Sequence, residues 1–352
     1  MKKIAYLTGT RADFGLMKKI LQGIKTDKKL ELQLLATGVH LIDEFGYTIT
    51  EVDKDFKITK IIEAVFEKDN RESMARFVGK CTTGITEALI ELKPDAIIVL
   101  GDRGEQLAMA TAAAYLAIPI IHLHGGEKTT TIDDKARNAI SQLTDWHLPA
   151  TKKSRKKLIK MGANKKKVKV MGAPGLDEIK EIKPADKKDL IVVLQHADED
   201  EKKADKQIKA TLEAVVEFKL KIKIIYPNAD AGGRKIIKII EQYADKYPKL
   251  IETFKHIKRE KFLKLLTQAR VLVGNSSAGL IESPSLNLAV VNIGPRQKNR
   301  EKAKNVIDVG YKSKAIEKAI RKALGMKTEK IKNPYGDGET TEKVIKLIKK
   351  II

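Results

Sequence analysis

Short apolar runs alternate with longer amphipathic stretches along almost the whole chain. The runs KIAYLT, LQLLAT, AIIVLG, IPIIHL, DWHLPA and KVKVMG read as strands, and the pattern resumes with LIVVLQ, KIKIIYP, ARVLVGN and LAVVNIG. Between most of them lie helical patterns such as RESMARFVGKCTTGITEALIEL. This alternation predicts an α/β protein with parallel sheets and helices on both faces. One open sheet rarely holds so many strands, so two domains are expected. The length of 352 residues points the same way. The break falls in MGAPGLDEIKEIKPADKKD, where Gly172, Pro174 and Pro184 punctuate a charged stretch. That places an N-terminal domain over 1–173 and a C-terminal one over 174–352.

Open parallel sheets bind ligands beyond the carboxyl ends of their strands. The chemistry-bearing residues sit there. GTRADFG follows the first strand, GDRGE follows AIIVL, and HLHGGE ends IPIIHL. In the second half QHADED follows LIVVL, PNADAGG follows KIKIIY, and GNSSAGLIE follows ARVLV. Loops of this kind from both halves predict one cleft between two domains.

GNSSAGLIE has the form of an anion site. Its glycines let the backbone approach a ligand, and Ser276 and Ser277 can cap the next helix and turn its first N–H groups toward a phosphate. Glu282 lies inside that helix, where it could take two hydroxyls of a ribose; an ordinary serine cap explains the serines equally well. Arg11, in a glycine-bounded loop, is a partner for a diphosphate. Neither G-x-G-x-x-G spacing nor G-x-x-x-x-G-K-[ST] occurs, which weighs against dinucleotide and P-loop readings.

The densest stretch is HLHGGEKTTTIDDKAR, from His122 to Arg137. On a strand, His122 and His124 would share a face, yet no H-E-x-x-H or cysteine cluster supports a metal, and none is expected. Asp133 and Asp134 precede KARNAISQL and can serve as helix N-terminal charges. Alternatively, Asp102, Glu127, Asp133 and His124 form a carboxylate and imidazole cluster. Crowded carboxylates separate in pKa, which supplies a base and an acid together.

Composition narrows the classes. The net charge of +23 raises nucleic-acid binding, but the lysines are spread over polar helix faces and aromatics make up only 5%, so stacking platforms are scarce. No nucleic-acid function is expected; a positive field still attracts a small anionic substrate. No apolar run is long enough to span a membrane, and MKKIAYLTGT reads as a first strand, not a signal segment. Cys81 is the only cysteine, which excludes an internal disulfide and suits a cytoplasmic location.

Taken together, the loops resemble those of the hydrolysing UDP-N-acetylglucosamine 2-epimerases of sialic-acid-type sugar synthesis. The likeness covers essentially the full length in order and spacing: GTRADFG, TGVHL, LGDRGE, HGGE, TIDD, LQHADE, PNADAG, GNSSAGLIE, NIGPRQKNR and NPYGDG. It implies the glycosyltransferase-B architecture, with a nucleotide sugar bound between two Rossmann-like domains. It also implies that the last helix, within 338–352, returns to the first domain, and the stripe of Val344, Leu347, Ile348 and Ile351 suits such docking. GDR, TIDD and RQKNR resemble the hydrolysing subfamily and not the non-hydrolysing one, which keeps the nucleotide attached.

The resemblance implies anti elimination of UDP to a glycal, then hydration that leaves the opposite configuration at C2, with UDP-N-acetylglucosamine giving N-acetylmannosamine. Asp102 and Asp133 match the family's catalytic acids. Its third acid often stands where this chain has His124, so either His124 or Glu127 is expected to take that part. Arg11, Arg137 and His196 match positions holding the diphosphate. Ser276, Ser277 and Glu282 match diphosphate and ribose binding, and His256 lies in the base-binding loop. Asn228 and Asp230 of PNADAG and Arg296 of NIGPRQKNR are expected at the substrate. Asn138 replaces a histidine common in relatives. No cofactor is implied, and the partners implied are a nucleotide-sugar substrate and further copies in a homodimer or homotetramer. The same motifs suit a UDP-linked diacetamido-trideoxyglucose or a GDP-linked N-acetylglucosamine. A non-catalytic nucleotide-sugar sensor would not need Asp102 and Asp133 beside an anionic ligand.

Overall fold

The computed structural model describes all residues except 67, 69, 131, 184, 186, 187, 199, 228–230, 329 and 330, together with the side chain at 45. The chain forms two compact units: Met1–Lys128 with Ile132–Glu178 and Tyr335–Ile352, and Ile179–Pro334 with Thr129–Thr131.

The first unit runs β1 (Lys2–Thr8), α1 (Arg11–Thr26), β2 (Leu30–Ala36), α2 (Ile49–Asp55), β3 (Lys60–Ile61), α3 (Arg71–Leu92), β4 (Ala96–Leu100), α4 (Gly104–Tyr115), β5 (Ile120–Leu123), α5 (Ile132–Leu143), β6 (Trp146–Leu148) and α6 (Lys152–Lys160). Its parallel sheet has the order β3-β2-β1-β4-β5-β6. The chain winds outward from β1 in one direction and then returns to β4 to wind in the other. The crevice beyond β1 and β4 is therefore a topological switch point, where such sheets bind ligands. The loops carrying Arg11 and Asp102 leave there. Buried Gln106 braces the spot, accepting from Leu100 N at 3.0 Å and donating to Leu7 O at 2.7 Å.

The second unit repeats the plan with β7 (Leu190–Leu194), α7 (Ala204–Val216), β8 (Lys221–Ile225), α8 (Gly233–Lys246), β9 (Ile251–Phe254), α9 (Arg259–Gln268), β10 (Ala269–Gly274), α10 (Ala278–Ile281), β11 (Ala289–Ile293), β12 (Val306–Val309) and α11 (Ser313–Leu324). Its order is β12-β11-β10-β7-β8-β9, so its switch point lies between β7 and β10. Asn275 clamps the two strand ends, accepting from His196 N at 2.7 Å and donating to His196 O at 2.9 Å. Gly274, at φ +140°, has no room for a side chain, because a Cβ would collide with Leu194 O.

Both sheets are apolar on both faces, as helices on each side require; β4, β7 and β11 are buried at every position. The last helix, α12 (Thr340–Ile351), belongs to the first unit. Val344 and Ile348 enter the core with Met17, Ile20, Leu21 and Ile24 of α1, and Leu347 and Ile351 pack beside them. Gly23 of α1 lets Ile345 approach. Asp177 accepts from the N–H groups of Thr340 and Thr341 at 2.9 and 2.6 Å, an anion at a helix N-terminus.

The strand expected at KVKVMG is not formed. Only a single bridge joins Val168 to His147, while the segment donates from Lys169 N and Met171 N to the edge of β6. Three strands absent from the sequence reading exist: β3, β9 and β12, all short and lying at or toward sheet edges.

Candidate active site

In the first unit the arrangement is built around Arg137, on α5 and wholly buried. Its Nη2 pairs with Asp102 Oδ2, and its Nη1 donates to Asp134 Oδ1 at 3.4 Å and to Glu127 O at 3.3 Å. A buried guanidinium needs such compensation, and its planar fork can meet several acceptors at once. Asp134 also faces Lys157, whose Nζ donates to Glu127 O and to Asn138 Oδ1, both at 3.0 Å. Desolvation holds the Lys157 ammonium below its usual pKa, against the pull of Asp134.

Asp102 owes its position to the turn at Gly101, which has φ +71°. The buried His122 ring donates from Nε2 to Gly101 O at 2.8 Å, and burial drives its pKa down to about 3. His122 is thus a neutral structural strut. Its Nδ1 lies 3.3 Å from Ser141 Oγ, which donates to Arg137 O at 2.9 Å.

His124 stands just past β5 in the left-handed region, at φ +62°. A non-glycine residue there is uncommon and directs its side chain off the strand's own alternation. The two histidines turn to different partners, His122 to Gly101 O and Ser141, His124 to Glu127. Its Nδ1 lies 2.6 Å from Glu127 Oε1, with both side chains buried. The double glycine makes the return possible. A Cβ on Gly125 would press on His122 Nδ1, and one on Gly126, at φ +79°, would meet Ser154 O and Leu158. Asp133 lies half-buried in the first turn of α5. Among the described residues no group of three or more His, Cys, Asp or Glu is placed to hold a metal ion.

Arg11 opens α1, behind a capping box of Thr10 and Asp13. Its Nη2 meets Glu51 Oε1 of α2 at 2.5 Å, while its buried Nε and Nη1 have no partner among the described residues. Unsatisfied buried donors are costly, and an incoming phosphate oxygen would satisfy them.

In the second unit the carbonyl of Asn275 receives Gln297 Nε2 at 2.9 Å and Arg296 Nη1 at 3.5 Å, while its side chain holds the His196 backbone. Ser276 Oγ accepts from Ala278 N at 3.3 Å; Ser277 stands at the N-cap of α10 without a side-chain cap bond. The expected double cap is thus a single one. Glu282 is buried and pairs with Arg259 Nη1 at 2.8 Å. His256 is exposed in the loop before α9. Asn228 and Asp230 lie outside the described residues.

Several site neighbours escaped the sequence reading. Tyr311 donates to Asp198 Oδ2 at 2.5 Å and fills the space beside Gly294, where a Cβ would strike the phenol. Burial, followed by the contact with Asp198, raises the Tyr311 pKa strongly. Glu51, Lys157 and Arg259 are the others. Each is an ordinary charged residue in sequence and is singled out only by its tertiary partner.

A family model described as UDP-N-acetylglucosamine 2-epimerase matches residues 22–349. The chain belongs to that family. Among its relatives is a UDP-N,N'-diacetylbacillosamine 2-epimerase (hydrolyzing) of Legionella pneumophila, 39% identical, with 100% of this chain and 96% of the relative covered. A GDP/UDP-N,N'-diacetylbacillosamine 2-epimerase (hydrolyzing) of Campylobacter jejuni is 34% identical over 87% of this chain and 84% of its own. In fold, the chain is similar to the Methanocaldococcus jannaschii UDP-GlcNAc 2-epimerase crystallised with UDP-GlcNAc and UDP: TM-score 0.83, 18% identity, 99% of each chain covered. The architecture is the expected glycosyltransferase-B pair of Rossmann-like domains.

Proposed function

We propose that this family member is a hydrolysing 2-epimerase that converts a UDP-linked 2-acetamido sugar and water to UDP and the free 2-epimeric sugar. The observation that carries the reading is the wholly buried Arg137, joined to Asp102 and to the carbonyl of Glu127, whose carboxylate holds His124. A cation, carboxylates and an imidazole are gathered beyond parallel strands, which suits proton transfer beside a leaving diphosphate.

In the first step the C1–O bond breaks and its electron pair leaves with UDP. A base takes the C2 proton, and the C2–H electrons become the C1–C2 double bond. Asp102 and Asp133 serve this step, stabilising positive charge on the ring and moving the proton. Arg137 and Arg11 take up negative charge on the diphosphate; the motif match supports the same part for His196 and Arg296. In the second step the His124–Glu127 pair gives a proton to C2 on the opposite face, the double-bond electrons forming the new C2–H bond, and water adds its oxygen to C1 and passes one proton back to that pair. Glu282 accepts from the ribose, and Ser276 and Ser277 hold phosphate oxygens. No redox change occurs, so neither step calls for a nicotinamide.

For the sugar, the relatives at 39% and 34% identity favour UDP-N,N'-diacetylbacillosamine. UDP-N-acetylglucosamine, giving N-acetylmannosamine, is the second reading, supported by the family description. The test is incubation with a panel of UDP- and GDP-linked amino sugars, followed by NMR of the products. Free 2-epimeric sugar and nucleoside diphosphate are expected. A product that keeps its nucleotide would overturn the hydrolytic reading.

A further inference from the structure

Arg259 is the first residue of α9, where the helix dipole disfavours a cation. Its place is explained by what it touches. Nη1 meets Glu282 Oε1 at 2.8 Å across 23 residues of chain, and the guanidinium lies over the Phe262 ring, 5.8 Å from its centroid. The Arg259 and Glu282 side chains are only 14% and 4% exposed, so this is a partly desolvated pair and not a surface contact. Arg259 takes Oε1 of the carboxylate.

We propose that Arg259 is a positioning residue for nucleoside recognition: held by Phe262, it compensates the buried Glu282 carboxylate and aims its second oxygen at the ribose hydroxyls. The proposal rests on the reading of Glu282 as the ribose acceptor. Arg259 opens α9 three residues past His256, which stands in the loop expected to meet the base. The pair therefore links base and ribose recognition, and displacing that loop shifts the ribose acceptor. A lysine would supply charge without the planar fork.

The experiment is calorimetric titration of wild type, Arg259→Met and Arg259→Lys with UDP and with 2′-deoxy- and 3′-deoxy-UDP, and with the GDP series in parallel. Wild type should bind the ribonucleotide about tenfold or more tighter than the deoxy forms, as expected for hydrogen bonds to a charged acceptor. In Arg259→Met that ratio should collapse toward unity while binding of the deoxy forms persists; Arg259→Lys should be intermediate. If Arg259→Met retains the full ratio, or weakens every ligand by one common factor, Arg259 is merely structural and the proposal is wrong. Should Arg259→Met fail to fold, the Arg259→Lys ratio decides: an undiminished ratio overturns the proposal. Wild type that binds UDP without discriminating against the deoxy forms would refute the ribose reading of Glu282, and the proposal with it. Wild type that binds neither UDP nor GDP would refute the nucleotide reading itself.

Discussion

His124 Nδ1 and Glu127 Oε1 lie 2.6 Å apart in buried surroundings, with His124 held at φ +62°. The sequence offered His124 and Glu127 as alternatives for one role; the geometry makes them a unit. Glu127 accepts from Nδ1–H and leaves Nε2 as the ring atom able to carry a proton. His124→Ala and Glu127→Gln should each lower kcat by about 10²–10⁴, the range for a general acid or base. The double variant should be little worse than either single one, because residues acting as a unit are not additive. Steady-state assays of UDP release check this. Independent, multiplying losses would separate the two residues.

Asp102 and Asp133 differ in what surrounds them, and their variants should differ accordingly. Asp102→Asn removes a partner of the buried Arg137 guanidinium. It should cost both activity, by about 10²–10⁴ in kcat, and stability, by up to about 3–5 kcal/mol as for a broken buried pair, less whatever Asp134 restores. Asp133 occupies the first turn of α5. Asp133→Asn should cost comparable activity but only about 0.3–1 kcal/mol of stability, the value of a helix-terminal charge. Parallel kinetics and thermal melts read the two apart; equal stability losses would contradict the assignment.

Much of this was legible in sequence because two signals coincide. Buried parallel strands announce themselves as apolar runs, and ligand residues follow their carboxyl ends. β4 with Asp102, and β10 with Asn275 and Ser276, are plain examples. Short edge strands are not legible: β9 reads IETF and β12 reads VIDV, each too brief and polar to stand out. KVKVMG misled for the opposite reason, since its alternation has the period of a strand while its pairing is limited to one bridge. Within the site, residue type gave candidates but not partners. Nothing local tells that Asp134 braces Arg137 and Lys157, that Arg259 holds Glu282, or that His122 supports the Gly101 turn. Those pairings arise from how the strands are ordered.

Three buried histidines set the response to acid. Burial pushes His122 down to about 3, and His40 and His147 down to about 4, against about 6.5 in an unfolded chain. Between pH 6.5 and these values the unfolded state binds protons that the native state does not, so acidification favours unfolding. Tm should be level from pH 8 to 7 and fall steadily from about pH 6.5 to 5. In NMR the His122 ring should not titrate over that span. A Tm that rises on acidification, or a His122 titration near 6.5, would contradict the buried neutral assignment.

The last helix contributes to the core of the first unit. Ile348 is wholly buried against residues of α1. Ile348→Ala should destabilise by about 2–5 kcal/mol, the range for large-to-small core changes, with kcat per folded molecule preserved at low temperature. Lys349→Ala removes an exposed partner of Asp27 and should change Tm little. Equal effects of the two would mean that α12 is held by its charges and not by its apolar stripe.

The proposed chemistry makes one isotopic demand. Turnover of UDP-N,N'-diacetylbacillosamine, with UDP-N-acetylglucosamine in parallel, should be run in D₂O enriched in ¹⁸O and the products read by NMR and mass spectrometry. Elimination followed by hydration predicts a free 2-epimeric sugar with one deuteron at C2 and solvent ¹⁸O at C1, and UDP free of label. ¹⁸O in UDP would mean attack at phosphorus, and an epimerised sugar still joined to UDP would mean no hydrolysis; either result contradicts the account.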